Sequence, residues 1–368
     1  MKSERIQSYD FLKFIAAILI VFHHYQQLSG GTLGGLKFYG GLFDYGYLVE
    51  FFFLISGFVM ISYLPKIKEG LSFPVFMKKR MLRLLPTVAF SVIVFELLLY
   101  LYSHFLDELW MGLQPSVWGS VTTMLGIQYG WGFENPQINN PLWYVSSLLL
   151  CYVVFYLLTV LGKRLKINPA YFYGAMVFVG IGLNTYDVSY PFLETKTGRG
   201  YCAFFFGVLL GLLLQKYKIT WKKALGALAV IVSLVVLMTY KFYMVENGLR
   251  FNMLFLFYPS LLVFFGWKPV NRLFAFSFWR IIGGISYHIY VWHVPLYLAV
   301  TLFDKVSIAG LQFDSIKSLL LFTGGCVVCG SISYLVMECL LPGLYGKKGM
   351  TTQEPEEKEA EKSKQDSL

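Results

Sequence analysis

Long apolar runs, broken by short charged stretches, organise this chain. Ten can be marked, at roughly 10–28, 44–64, 84–104, 142–162, 169–186, 199–216, 222–240, 250–267, 281–303 and 316–340. Each approaches the ~20 residues that a helix needs to cross a bilayer's hydrocarbon core. Apolar positions are continuous within the runs rather than alternating, which argues for helices and against a β-barrel. The pattern predicts an all-α polytopic membrane protein of about ten transmembrane helices.

Composition agrees. The chain is 57% hydrophobic and only 14% charged, where soluble domains carry about a quarter charged residues. Basic residues then orient the spans. Placing the N-terminus inside puts twenty lysines and arginines on inner segments, against six (Lys37, Lys196, Arg199, Lys241, Arg250 and Lys305) on outer ones. That bias predicts both termini in the cytoplasm. The net charge of +10 therefore reads as a topology signal rather than a nucleic-acid surface, and the expected surroundings are the lipid bilayer.

The first run contains Lys13 and lacks a small-residue cleavage site, so it is expected to stay as an anchor rather than be removed as a signal peptide. Residues 105–141 form a long connection rich in Trp, Gly and Pro, predicted as an outer cap or a partial re-entrant helix. From 349 to 368 the chain is charged and low in complexity, a predicted disordered cytoplasmic tail. Cys151, Cys202, Cys326, Cys329 and Cys339 all fall in apolar runs and are odd in number, which suits packing better than a disulfide framework.

Four places carry polar chemistry inside apolar sequence. A charged group in hydrocarbon costs at least ~2.5 kcal/mol, so each is a functional candidate. Lys13 and His24 lie eleven residues apart in the first run, about three turns, hence on one helical face and roughly 16 Å apart along the axis. His24 is placed to act as a general base toward a hydroxyl at the outer end; the plainer alternative is a histidine that wets a helix end, and that reading is taken for His23. Asp10 and Lys13, three apart, also fit a simple helix-end ion pair. Glu50 and Ser56 occupy the second run; the carboxylate needs a partner, and Ser56 with Gly57 permits close helix approach or a helix–helix hydrogen bond.

Arg80 and Arg83 sit in an inner basic segment, three apart and on one side if helical. Arginine forks suit a donor with several phosphates, such as a coenzyme A thioester; contact with anionic lipid is the alternative. Ser286, Tyr287, His288, Trp292 and His293 crowd the ninth run before Pro295. Ser286 and His293 share a face, yet two turns, about 10 Å, is too far for direct proton transfer. These residues are expected to line a cavity, with an interfacial aromatic belt as the alternative. The five histidines show no carboxylate pattern of a metal site, and no metal is expected.

Five blocks in order resemble acyltransferase family 3, membrane enzymes that acylate carbohydrates and related acceptors. Lys13 with His24 resembles the family's basic-residue-x10-His signature. Phe51-Phe52-Phe53-Leu54-Ile55-Ser56-Gly57-Phe58 is similar to its FFxxSGF block. Lys79-Arg80-Met81-Leu82-Arg83-Leu84-Leu85-Pro86 resembles its RxxRLxP block, and Pro141-Leu142-Trp143-Tyr144 its P-L-W-F/Y block. Gly284 to Pro295 is similar to its G-x-S-Y-x-x-Y-L-W-H-x-P block. The acidic residue that many members carry after the tryptophan is missing; Ser146, Ser147 and Leu148 follow instead.

The resemblance implies a membrane acyltransferase domain over 1–348 in its stand-alone form, without an appended esterase-like domain. It implies acyl-CoA, with acetyl-CoA expected, as donor on Arg80, Arg83 and Lys13. A cell-surface or lipid-linked carbohydrate would be the acceptor, in the plasma membrane. His24, assisted by Lys13, would be the general base or a transient acyl carrier. Glu50, Ser56, Trp143, Ser286, Tyr287, Trp292 and His293 would line the substrate cavity. A proton-coupled carrier or flippase for a lipid-linked glycan is the competing class, since such proteins also bury Lys, His and Glu; the sequence shows no repeat symmetry between its halves.

Overall fold

A computed structural model describes residues 6–341 except 42, 134–137, 187, 240–249 and 309. Its helices are α1 (Gln7–Ser29), α2 (Leu48–Met60), α3 (Phe73–Leu106), the short α4 (Val117–Met124), α5 (Trp143–Leu165), α6 (Ala170–Thr185) and α7 (Thr195–Lys216). They continue with α8 (Trp221–Thr239), α9 (Arg250–Gly266), α10 (Ser277–Ser307) and α11 (Ile316–Tyr334). The β-structure among the described residues is one hairpin, Ser189–Tyr190 paired antiparallel with Leu193–Glu194.

Each predicted span coincides with a helix. Among the described residues, seven helices are long and apolar enough to cross a membrane. The others depart for visible reasons. α6, with 16 residues, and Arg250–Gly266 are short. α10 runs for 31 residues but is interrupted by Arg280, Ser286, His288 and His293. The chain is thus an all-α polytopic membrane protein. The predicted tail at 349–368 lies outside the described residues.

Three packings position the site. α1 packs chiefly on α10, α2 on α7, and α7 on α6. Glycines set the α2–α7 distance. A Cβ at Gly57 would stand 1.8 Å from the Phe204 carbonyl oxygen, and one at Gly207 would stand 2.0 Å from that of Leu54. Each helix therefore lays its bare backbone on the other's carbonyls, the small-residue contact that lets helices meet closely in lipid. We expect Gly57→Ala to cost about 2–3 kcal/mol by overpacking, because the obstructing atom is backbone. Thermal unfolding in detergent checks this, and an unaltered melting curve would contradict the packing.

The basic segment around Arg80 and Arg83 is helical. α3 begins at Phe73 and carries Pro86 inside it, so both arginines stand on the first turns of a long helix. The described residues between α3 and α5 form loops and α4, and Tyr129 and Trp131 among them dock on the start of α5. There the Ser146 hydroxyl accepts from the Tyr129 amide at 3.1 Å and donates to the Tyr129 carbonyl at 2.7 Å. Trp131 Nε1 donates to the Ser146 carbonyl. Asn139 reaches the Val291 carbonyl at 3.3 Å, joining this connection to α10. The chain after α1 is pinned as well. The Gln26 amide group spans the carbonyls of Gly31 and Leu36 and the amides of Phe38 and Tyr39. Asp314 accepts from the Leu33 amide and from Thr32, and that hydrogen bonding holds its carboxyl below the ordinary range.

Candidate active site

The packing of α1 on α10 brings His24 and His293 together, 269 positions apart in sequence. His24 Nδ1 lies 3.1 Å from His293 Nε2, and the ring centroids are 4.8 Å apart. His293 Nδ1 is 2.6 Å from the Tyr290 carbonyl oxygen. A carbonyl only accepts, so in the neutral ring His293 Nδ1 bears the hydrogen and Nε2 holds a lone pair. His24 Nδ1 then faces two acceptors, that lone pair and the Ile20 carbonyl at 3.2 Å, and must carry a hydrogen itself. His24 Nε2 is left unprotonated. This is the tautomer of a base, and a second ring holds it in place.

Both neighbours of this pair face the same space. A cavity of about 440 Å³ is lined by His23, His24, Tyr290, Asn140, Trp143, Trp110, Lys196 and Arg199, among others. That volume lies within the usual range for small-molecule sites. His23 does not merely wet the helix end. It is buried, with Nδ1 3.1 Å from Asp44 Oδ1 and 3.2 Å from the Phe38 carbonyl oxygen. Gly46 separates His23 from Arg199: a Cβ there would come within 3.0 Å of the His23 ring, and its carbonyl accepts from Arg199 at 2.8 Å.

Glu50 finds its partners here. Arg199 grips it through Nε at 2.7 Å and Nη2 at 2.8 Å, a two-point fork, and Arg250 Nε adds a bond at 2.8 Å. Arg250 also hydrogen-bonds Asn184. The Arg199 guanidinium lies 5.1 Å from the Trp143 ring centroid, and the Lys196 ammonium lies 4.3 Å from that of Tyr129. Glu50 itself is buried behind Arg199, so it positions the arginine while Arg199 lines the cavity. Tyr290 lines it too and hydrogen-bonds the Pro141 carbonyl, fixing the start of α5 beside α10.

Other predicted residues sit elsewhere. Lys13 pairs with buried Asp10 at 2.5 Å, the simple ion pair that the spacing allows. Asp10 packs against Gly283 of α10, where a Cβ would meet it at 2.5 Å. Ser56 is 3.4 Å from the Tyr144 hydroxyl, a link between α2 and α5. Ser286 bonds back to the Gly283 carbonyl, and Tyr287 donates to the Leu84 carbonyl, tying α10 to α3. Trp292 Nε1 donates to Ser333 of α11 at 2.9 Å. Of the polar residues in the ninth run, His293 thus joins His24, while Ser286, Tyr287 and Trp292 hold helices together.

The two arginines of α3 differ. Arg83 is exposed. Arg80 is buried, its guanidinium 3.7 Å from the Tyr63 ring centroid and 4.5 Å from that of Phe76, with Nη2 donating to Met60 Sδ. Its Nε is buried without a hydrogen-bond partner among the described residues. Arg199, Arg250 and Lys196 escape a sequence reading because they count equally well as outer-segment charges. Only their nearness to apolar helix starts hints otherwise. Among the described residues, no three His, Cys, Asp or Glu side chains converge as metal ligands do.

These features define a class first: a polytopic membrane protein with a histidine pair beside a cavity that Arg199 and Lys196 also line. A family model described as an acyltransferase domain matches residues 6–338, nearly the whole chain. The chain belongs to acyltransferase family 3 and is a membrane acyltransferase. No match was found among curated proteins or among solved structures.

Proposed function

We propose that this acyltransferase moves an acyl group, acetyl in the simplest case, from acyl-CoA to a hydroxyl of a cell-surface or lipid-linked carbohydrate at the plasma membrane. One observation carries the reading: the His293–His24 pair leaves an unprotonated imidazole nitrogen on a residue that lines the cavity.

In the transfer, His24 Nε2 takes the proton of the acceptor hydroxyl as its oxygen attacks the thioester carbonyl. The carbon–sulfur bond breaks, and the thiolate leaves with the proton returned from His24 Nε2. His293 keeps the His24 ring in register throughout, as an orienting group does for a catalytic histidine. The donor's phosphates are assigned to the α3 arginines. Arg83 is exposed, hence available, whereas Arg80 is caged by Tyr63 and Phe76 and offers only its unsatisfied edge. Trp143 and Tyr290 give the cavity flat faces against which a sugar ring can pack.

Release of free thiol from acetyl-CoA by the protein in nanodiscs tests the donor. Arg83→Gln is expected to raise the apparent KM for acetyl-CoA about tenfold, the value of one charge-assisted contact, with little change in kcat. No thiol release from any acyl-CoA, with any acceptor, would remove the donor assignment and favour a glycan carrier.

A further inference from the structure

The mechanism leaves one buried histidine of the cavity without a task. His23 is only 7% exposed, yet it lines the cavity beside His24, and the two ring centroids are 4.9 Å apart. Its Nδ1 faces two acceptors, the Phe38 carbonyl at 3.2 Å and Asp44 Oδ1 at 3.1 Å. Asp44 is itself fixed: Oδ1 also accepts from the Gly46 amide at 2.8 Å, and Oδ2 accepts from the Gly40 amide at 3.0 Å. A carbonyl only accepts, so in the neutral ring His23 Nδ1 bears the hydrogen and Nε2 holds a lone pair. That lone pair has no partner among the described residues. Gly46 keeps it uncovered, because a Cβ there would stand 3.1 Å from Nε2. The cavity is thus lined by two adjacent imidazoles, each with an acceptor nitrogen. His24 Nε2 is committed to the hydroxyl that reacts. A substrate that displaces water from His23 Nε2 without giving it a hydrogen leaves a buried acceptor unpaired, which costs free energy.

We propose that His23 Nε2 accepts a hydrogen bond from the hydroxyl next to the one that is acylated, so that the acceptor is a diol and receives one acyl group per diol. This rests on the acyl-transfer reading and narrows its acceptor. A neighbouring ether or ester has no hydrogen to give and sets its lone pairs against that of His23, and a site built to bind a hydroxyl discriminates against analogues that lack it. Once one hydroxyl is acylated, the other could react only with the new ester facing His23, so transfer limits itself. His23 selects the hydroxyl pair and takes no part in bond making.

The full chain in nanodiscs is given acetyl-CoA with trans-1,2-cyclohexanediol, with the monoacetate of that diol, or with 2-methoxycyclohexanol, and free thiol and ester products are measured. The expected kcat/KM for the diol is at least about tenfold above that for either analogue, the value of one neutral hydrogen bond, and the product is the monoester. His23→Asn retains an N–H for Asp44 and the Phe38 carbonyl but places nothing where Nε2 was. His23→Phe keeps a flat ring. In both, the three acceptors should converge, chiefly through slower use of the diol, whereas a purely structural His23 would leave their ratio intact in any variant that folds. Equal use of the three acceptors, a preference that survives both substitutions, or thiol release without transfer to the diol would overturn the proposal. No thiol release from any acyl-CoA would instead sink the acyl-transfer reading, and thermal unfolding would then decide the site. Stabilisation by the diol at lower concentrations than by 2-methoxycyclohexanol, lost in His23→Asn, would keep the hydroxyl site; equal shifts would sink it too.

Discussion

His24→Ala is expected to lower acyl transfer by about 100- to 10,000-fold, the range for loss of a positioned general base, while the protein still folds and inserts. The imidazole is partly exposed to the cavity, and its bonds are one to His293 and one to its own helix, so its removal breaks little packing. The companion variant His293→Ala should cost less. It removes one of the two acceptors that face His24 Nδ1 but leaves the base. Its signature is a changed pH profile of kcat rather than complete loss, since the Ile20 carbonyl alone then holds the hydrogen on His24 Nδ1. Steady-state thiol release, with melting curves to verify folding, checks both. A folded His24→Ala protein with wild-type turnover would remove the base from the mechanism.

Glu50→Ala should be the most destabilising substitution of a polar residue. It leaves Arg199 and Arg250 buried without their carboxylate, and breaking a buried pair from one side costs about 3–5 kcal/mol. The loss spreads, because Glu50 on α2 joins α7 through Arg199 and α9 through Arg250. Glu50→Gln should fall between, keeping the hydrogen-bond acceptor but not the charge. Unfolding followed in detergent is the readout. A Glu50→Ala protein as stable as wild type would mean that the two arginines have other partners.

Some of this was legible residue by residue. The place of the helices followed from apolar runs, since a helix facing lipid must be apolar along its length to exist there. His24 stood out because a titratable group inside such a run is costly. Gly57 was marked as a point of close approach, and α7 supplied the backbone that comes close. The tie of Tyr129 and Trp131 to Ser146 at the start of α5 was not legible in the sequence. The ninth run misled. Its serine, tyrosine, tryptophan and two histidines look like one polar wall, but a helix turns them to different neighbours. Ser286 satisfies its own backbone, Tyr287 reaches α3, Trp292 and His288 reach Ser333 of α11, and only His293 turns to His24.

By itself the sequence determined the class, the segments that enter the bilayer, and the polar groups whose burial had to be explained. Each of these depends on a residue and its near neighbours meeting a uniform apolar solvent. Which cation neutralises Glu50, which ring orients His24, and which arginine keeps an unused edge were decided only in three dimensions. His24 and His293 lie 269 residues apart, and Glu50 lies 149 and 200 residues from its two arginines. A buried charge demands a partner wherever it stands, but it carries no mark of which helix will bring that partner; the packing of bare glycine backbones and crossing helices makes that choice.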